Sequence, residues 1–143
     1  MLGFASTGFG PIKIALPPAG LASLAEAALV ALLMGGAVAL FGAAAREMGR
    51  NWSIVARTRE DHELVTSGAF AHVRNPIYSA MALFLLGMAV AFGHERNLIW
   101  GVPLFALGTW LRVREEERLL RASFGDAYDA YAARVTRFIP GVL

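Results

Sequence analysis

The chain has no cysteine, a single lysine and only three histidines. Without cysteine it can form neither disulfides nor thiolate-ligated metal sites. The histidines have no partners at metal-binding spacing, so we expect no metal centre. Charge of either sign is missing from three long stretches. Those uncharged stretches are candidate membrane-spanning helices.

The uncharged stretches are apolar and cover residues 27–45, 77–93 and 98–111. The first has 19 residues, enough to cross a hydrocarbon core of roughly 30 Å at ~1.5 Å per residue. The other two are shorter, and flanking Trp100, Trp110 and Tyr78 would extend them into the interface. The hydrophobic fraction of 57% also exceeds the soluble norm. We therefore expect an all-α integral membrane protein with about three transmembrane helices.

The first 20 residues hold four glycines and three prolines, which predicts an irregular or interfacial lead-in. A cleaved signal peptide is a weaker alternative, because the cationic n-region is missing. We expect residues 21–143 to form a single domain. Within the first apolar helix, Gly35, Gly36 and Gly42 give a small-residue face that lets another helix approach, or that serves for self-association into a homo-oligomer.

Only residues 94–97 separate the second and third apolar stretches, which predicts an antiparallel helical hairpin. The hairpin returns the chain to the side it left, so the arginine-rich blocks 46–74 and 112–137 face one compartment. By the positive-inside rule that compartment is the cytoplasm. We expect a bacterial inner membrane with the site on its cytoplasmic side. Nucleic-acid binding has no supporting motif.

The polar stretch 64–78, LVTSGAFAHVRNPIY, runs straight into the second apolar helix. Pro76 suits the first turn of that helix, and Asn75 can serve as its N-cap. The helix start would then offer amide donors and a positive dipole end to a carboxylate or phosphate. Farther along the chain, Gly125 is a plausible helix stop, and Asp126 can cap a further short helix.

The predicted hairpin brings two polar clusters together at one end. One holds His72, Arg74, Asn75 and Tyr78, and the other holds Arg112, Arg114, Glu115, Glu116 and Glu117. The glutamate run has two interpretations: a solvated helix face with ion pairs to Arg118 and Arg121, or a functional cluster. Three acids at a membrane exit are unusual for positive-inside loops, which favours function. Neither a nucleophile–base pair nor a phosphate-binding glycine loop is present.

Two segments carry a family resemblance. GAFAHVRNPIYSA (68–80) and REEERLLRASFGDAYDAYAARVTRFIP (114–140) resemble, in this order, the paired motifs of the isoprenylcysteine carboxyl methyltransferase family and its phospholipid methyltransferase relatives. The resemblance covers roughly residues 64–140, with a membrane hairpin between the motifs. Either motif alone is modest support, whereas the ordered pair is specific.

The resemblance implies an S-adenosylmethionine-dependent integral membrane methyltransferase with a cytosolic cofactor site between the two motifs. Carried over by residue, Arg114 would face the acceptor, and Glu117 could deprotonate an amine acceptor. These two are the implied catalytic residues. Glu116 or Glu117 would hold cofactor hydroxyls or its amino group. The implied cofactor-binding residues are Val65, Gly68, His72, Arg74, Asn75, Pro76, Tyr78, Glu116, Tyr131 and Arg134.

The chain departs from the family pattern at two positions. Asn75 stands where histidine is common, and Ala80 stands where glycine is usual. Asparagine does not titrate, so a base role at position 75 is excluded. The expected acceptor is a carboxylate of an isoprenoid or similar lipid, with an amine left open. A non-catalytic scaffold or carrier of the same fold is the alternative, and a sterol-type reductase would need a nicotinamide site that the sequence does not show.

Overall fold

A computed structural model describes residues 20–49 and 63–142. Its helices are α1 (Leu21–Met48), α2 (Pro76–Ala91), α3 (Leu98–Phe124) and α4 (Asp126–Ala132), with 3₁₀ turns at Gly68–Ala71 and Glu95–Asn97. The described residues contain no strand, and one isolated parallel bridge joins Val73 to Thr136. The all-α prediction is confirmed. The predicted lead-in lies almost wholly outside the described residues.

The helix boundaries lie at proline and glycine residues of the sequence. α2 begins at Pro76 as predicted. α3 continues past the uncharged stretch to Phe124, and Gly125 with φ of 51° ends it. The prediction that Asp126 caps α4 is wrong, because Gly125 is the N-cap and Asp126 is already helical. The glycine's positive φ turns the chain directly into the next helix, which leaves no residue between them for a side-chain cap.

The predicted hairpin between α2 and α3 is confirmed. The turn is closed by the amide of His94 donating to the Ala89 carbonyl at 2.7 Å and the amide of Asn97 donating to the His94 carbonyl at 2.9 Å. Tyr78 on α2 contacts Glu116 on α3. Each lies 19 residues from Asn97 (97 − 78 = 116 − 97 = 19), the symmetry that an antiparallel pair requires.

The described residues cluster into two compact units. The first contains 20–38 and 80–109, and the second contains 39–49, 63–79 and 110–142. α1, α2 and α3 each contribute to both units. The expectation of a single domain over residues 21–143 stays a prediction.

In the first unit, α1 and α2 approach closely at small residues. A Cβ placed on Gly87 would lie 3.2 Å from the end of Met34, and one on Gly36 would lie 3.6 Å from Leu83. The predicted close approach of another helix to α1 is therefore confirmed at Gly36, where the other helix is α2. Gly35 has no atom within 4 Å of its Cβ position among the described residues, and self-association through it stays a prediction.

The first unit also exposes many large apolar side chains. Leu21 is 90% exposed, Leu32 is 73% exposed and Trp100 is 69% exposed. α1 has 28 residues, and its most apolar stretch of 18 residues has a mean hydropathy of 2.2. Only 11% of that stretch is buried, unlike the core helix of a soluble protein. An exposed apolar surface of this kind is typical of a helix that packs against lipid or against another protein.

Among the described helices, α1 is the one that is long and apolar enough to cross a membrane by itself. α2 is apolar but has 16 residues, which span ~24 Å at ~1.5 Å per residue. α3 is longer, but it is charged from Arg112 onward. A membrane-crossing α1 is supported, and the expected total of three transmembrane helices stays a prediction.

Candidate functional site

The second unit is built by pairing the segment before α2 with the tail after α4. Arg74 donates its amide to the Thr136 carbonyl at 2.8 Å, and Asn75 donates its amide to the Arg137 carbonyl at 3.0 Å. The Ser79 hydroxyl donates to the Phe138 carbonyl at 2.7 Å. These contacts place the tail directly over the first turn of α2.

The residues at the start of α2 face this tail. The Asn75 carbonyl accepts the amide of Ser79 at 3.2 Å, the first bond of the helix. The Asn75 side-chain amide donates to the Arg137 carbonyl at 3.4 Å, and Pro76 is fully buried. Asn75, a predicted cofactor-binding residue, therefore holds the tail in place, and the predicted cofactor-binding residue Pro76 is packed inside the fold.

Glu117 lies at the centre of the unit, with its side chain 3% exposed. Arg137 donates to both of its oxygens, from Nε to Oε1 at 3.0 Å and from Nη2 to Oε2 at 2.9 Å. Arg74 approaches Oε1 at 3.5 Å, and Arg121 approaches Oε2 at 4.0 Å. A bidentate guanidinium is the geometry that best stabilises a buried carboxylate. Hydrogen bonding to Glu117 also raises the pKa of Arg137, so its charge is permanent.

Two buried polar atoms beside this cluster have no partner among the described residues: Arg74 Nε and the Tyr128 hydroxyl. The rest of the Arg74 guanidinium is engaged, since Nη1 donates to the Ala132 carbonyl at 3.0 Å. Burial, followed by the charge of Glu117, raises the pKa of Tyr128, so its hydroxyl keeps its proton. Buried polar atoms without a protein partner are uncommon, and a bound water or a ligand can satisfy them.

Tyr78 and Glu116, both predicted to bind the cofactor, form a second polar cluster. The Tyr78 hydroxyl donates to Glu116 Oε1 at 3.0 Å. Arg112 Nε donates to the same oxygen at 2.7 Å. The hairpin thus joins the two predicted clusters twice, through Tyr78 with Glu116 and through Arg74 with Glu117.

Tyr131 is buried and donates its hydroxyl to the Phe70 carbonyl at 2.7 Å. Its ring packs edge-on against Tyr128, with centroids 6.2 Å apart. Burial is the main reason that the pKa of Tyr131 rises to about 12. Tyr128 and Tyr131 are thus packing residues of the second unit, and a cofactor contact of Tyr131 stays a prediction.

Four predicted cofactor-binding residues make no hydrogen bond or ion pair with Glu117 or with the arginines around it. Gly68 packs against Glu47 at the end of α1, and Ser67 Oγ donates to Glu47 Oε2 at 2.6 Å. His72 is exposed and donates its backbone amide to the Ala69 carbonyl. The remaining two are half-buried Val65 and exposed Arg134, whose Nε donates to the Ala130 carbonyl at 3.1 Å.

A cavity of about 200 Å³ opens beside Glu117. Its lining consists of Trp110, Val113, Arg114, Glu117, Arg121 and Arg137. Arg114 is exposed and makes no ion pair or hydrogen bond with any described residue. The cavity is smaller than the roughly 300–1,000 Å³ typical of small-molecule sites, so it fits a head group rather than a whole cofactor.

The sequence of the chain matches a known protein family. Residues 25–127, which are 103 of the 143 (127 − 25 + 1), match the family described as phospholipid methyltransferase. The chain belongs to the phospholipid methyltransferase family. The match includes most of α1 and all of α2 and α3, and therefore both halves of the hairpin that joins the polar clusters.

This member of the phospholipid methyltransferase family is also similar to individual curated proteins, whose names specify one kind of methyltransferase. It is 32% identical over 100 residues to the protein-S-isoprenylcysteine O-methyltransferase of Schizosaccharomyces pombe, covering 66% of this chain and 41% of that protein. It is 33% identical over 100 residues to protein-S-isoprenylcysteine O-methyltransferase B of Arabidopsis thaliana, covering 66% and 49%. The chain thus spans about half the length of the curated relatives it matches, and the resemblance drawn from the two motifs is confirmed.

Four residues that line this family member's cavity were not among the predicted site residues: Trp110, Val113, Arg121 and Arg137. Arg137 lies in segment 114–140, which carries the family resemblance. Its position three residues after the predicted site residue Arg134 was the signal that could have identified it. Arg121 had been assigned only an ion pair on a solvated face. Trp110 had been interpreted as an interfacial anchor, and its place beside Arg114 follows from helical spacing alone.

Proposed function

We propose that the chain transfers a methyl group from S-adenosylmethionine to a lipid-like acceptor at a membrane surface, and that the accepting atom is a carboxylate oxygen of an isoprenoid or similar lipid. Family membership and the names of the relatives support methyl transfer. The charge of the cavity supports a carboxylate acceptor. The exposed apolar surface beside α1 supports an acceptor that arrives from the bilayer.

The observation that carries the proposal is the cationic lining of the cavity. Three guanidiniums, those of Arg114, Arg121 and Arg137, face one carboxylate, that of Glu117. Both Glu117 oxygens are already bonded to Arg137. Arg121 also pairs with Asp129, whose Oδ1 lies 2.9 Å from Arg121 Nε. With that partner counted, the lining has a net charge of +1 (3 − 2), carried by Arg114, which attracts an anionic head group and disfavours an ammonium.

The chain's own residues suit the proposed acceptor chemistry. A carboxylate is already a nucleophile, so the reaction needs alignment and exclusion of water more than a base. Arg114 can hold that carboxylate without protonating it, because a guanidinium stays charged. Glu117 could act as a base for an amine only by giving up Arg137. We therefore propose that its main contribution is to hold Arg137 and Arg74 in position.

The second unit also offers groups that fit the methyl donor. S-adenosylmethionine supplies an electrophilic methyl group, and it carries a carboxylate and hydroxyls that need polar partners. The unpartnered Arg74 Nε and Tyr128 hydroxyl are of the right chemistry to meet them. We propose that cofactor contacts come from the predicted set, namely Val65, Gly68, His72, Arg74, Asn75, Pro76, Tyr78, Glu116, Tyr131 and Arg134.

The proposed location is an integral membrane position with the site on the cytoplasmic side. The placement of arginine blocks at the ends of apolar stretches supports this orientation. The relatives named above come from eukaryotes, so a bacterial inner membrane stays a prediction.

The test is methyl transfer by the purified chain in lipid nanodiscs supplied with methyl-labelled S-adenosylmethionine. Two acceptors share one isoprenoid tail and differ in carrying a carboxylate or an amine. We expect base-labile label on the carboxylate only, and a loss of at least about tenfold in kcat/KM for Arg114→Ala, equivalent to about 1.4 kcal/mol. Arg118→Ala is the matched control, because Arg118 is exposed, pairs with Glu115 and does not line the cavity.

Two results would contradict the proposal. Label on the amine alone would reverse the acceptor class. No transfer together with no saturable binding of S-adenosylmethionine would favour the non-catalytic scaffold of the same fold.

A further inference from the structure

The cavity is arranged along one face of α3. Trp110, Val113, Arg114, Glu117 and Arg121 follow each other at intervals of three, one, three and four residues, so they share that face. Trp110 and Arg121 are 11 residues apart (121 − 110), or ~16 Å along the helix at ~1.5 Å per residue. The face is apolar at the Trp110 end and cationic toward Arg121.

Trp110 is held in place by the same arginine that binds Glu117. The Arg137 guanidinium lies 5.2 Å from the centre of the indole ring, within the range of a cation–π contact. Trp110 nevertheless remains 50% exposed. The ring is therefore oriented by Arg137 and still has surface available to a ligand.

We propose that Trp110 is the specificity-determining residue for the acceptor, and that its indole contacts the apolar segment next to the carboxylate. This inference rests on the proposed function. The occupant is an amphiphile with an anionic head and an apolar chain, because its charge complements Arg114 and its chain complements the ring. The acceptor lies along α3, with its carboxylate at Arg114 and its tail running past Trp110.

The geometry limits which acceptors fit. Val113 and Trp110 lie within one turn on the apolar side of Arg114, so the part of the acceptor that they contact is the part nearest the head group. A bulky or branched group at that place meets the indole, whereas branching farther along the tail does not. Trp110 thus discriminates between acceptors by the shape of the segment next to the carboxylate and not by the length of the tail.

The test compares acceptor preference in Trp110→Ala and Trp110→Phe. Two acceptors carry the same carboxylate and differ only in whether the adjacent segment is linear or branched. We expect Trp110→Ala to change the ratio of their kcat/KM values by about tenfold, mainly through KM, and Trp110→Phe to change it less. Trp100→Ala is the control, since Trp100 is an exposed tryptophan of α3 that does not line the cavity. A merely structural role for Trp110 would lower both values and leave their ratio unchanged.

A binding measurement separates this inference from the proposed activity. The chain has three tryptophans, so replacing Trp52 and Trp100 by phenylalanine leaves Trp110 as the single tryptophan, whose emission can be excited selectively over that of the tyrosines. Titration with a long-chain carboxylate, without methyl donor, should give a saturable change in emission. The matched neutral amide should give none.

Each outcome is decisive. Normal turnover with an unchanged acceptor ratio in Trp110→Ala overturns the inference and leaves the methyltransferase proposal standing. Absent turnover with saturable emission overturns that proposal and supports the acceptor site. An equal response to carboxylate and amide, or no response to either, overturns the site.

Discussion

Glu115, Glu116 and Glu117 are consecutive, but a helix turns about 100° per residue, so they point in three directions. Glu115 is exposed and pairs with Arg118, as expected for a solvated face. Glu116 accepts from Tyr78 and Arg112. Glu117 is buried among arginines. Both interpretations of the glutamate run therefore apply, each to different residues.

At the scale of single residues, we predict that Glu117→Gln destabilises the protein far more than Glu115→Gln. Loss of the Glu117 charge leaves Arg137 and the mostly buried Arg74 without their counter-charge, at a cost of about 3 kcal/mol. The exposed Glu115 substitution should change stability by less than about 0.5 kcal/mol. Thermal unfolding in detergent micelles, followed by circular dichroism, measures both. Equal melting temperatures for the two variants would contradict a structural role for Glu117.

At the scale of elements, the 3₁₀ turn Gly68–Ala71 is fastened to the end of α1. Ser67 donates to Glu47, and Gly68 adopts a φ of 55°, with Glu47 lying where a Cβ would be. The glycine is thus required twice, for its backbone conformation and for its lack of a side chain. Gly68 was predicted to contact the cofactor, and these contacts give it a structural requirement as well.

We predict that Gly68→Ala costs about 1–2 kcal/mol for the left-handed backbone and more for the contact with Glu47. In a double-mutant cycle, adding Glu47→Ala should remove the part of the destabilisation that comes from the contact with Glu47. The part that comes from the left-handed backbone should remain. Chemical unfolding of the single and double variants measures the coupling. Strict additivity would show that Glu47 does not oppose the new side chain.

The helices could be predicted from the sequence because their signals are local. An uncharged stretch, Pro76 and Gly125 fixed the boundaries of α2 and α3 closely. The pairing of Val73 with Thr136 could not be predicted, because it joins positions 63 residues apart (136 − 73) without a periodic pattern. The bidentate contact between Arg137 and Glu117 depends on that pairing. Family resemblance placed the two segments together but did not show which side chains meet.

At the scale of the whole molecule, two buried tyrosines link stability to alkaline pH. Burial raises the pKa of Tyr131 from 10.0 to about 12, and burial also raises the pKa of Tyr128. The unfolded chain loses these protons first. The stabilisation from Tyr131 is therefore complete below about pH 10 and is lost as the pH rises toward 12.

We predict that Tyr131→Phe reduces this alkaline loss of stability. At neutral pH the variant should lose about 1 kcal/mol, because the hydrogen bond to the Phe70 carbonyl is gone. Between about pH 9 and pH 12 its stability should fall less steeply than that of the parent protein. Denaturant unfolding over this range provides the measurement, with tyrosinate absorbance reporting ionisation. Parallel curves would mean that Tyr131 ionises equally in both states.

The bridge between Val73 and Thr136 has a consequence for how the protein is made. A ribosome releases the segment before α2 long before it releases the tail that covers it. Until then Glu117, already translated, has no Arg137 to pair with. The polar unit can therefore reach its final form only after synthesis has passed residue 138, whereas the α2–α3 hairpin can assemble earlier.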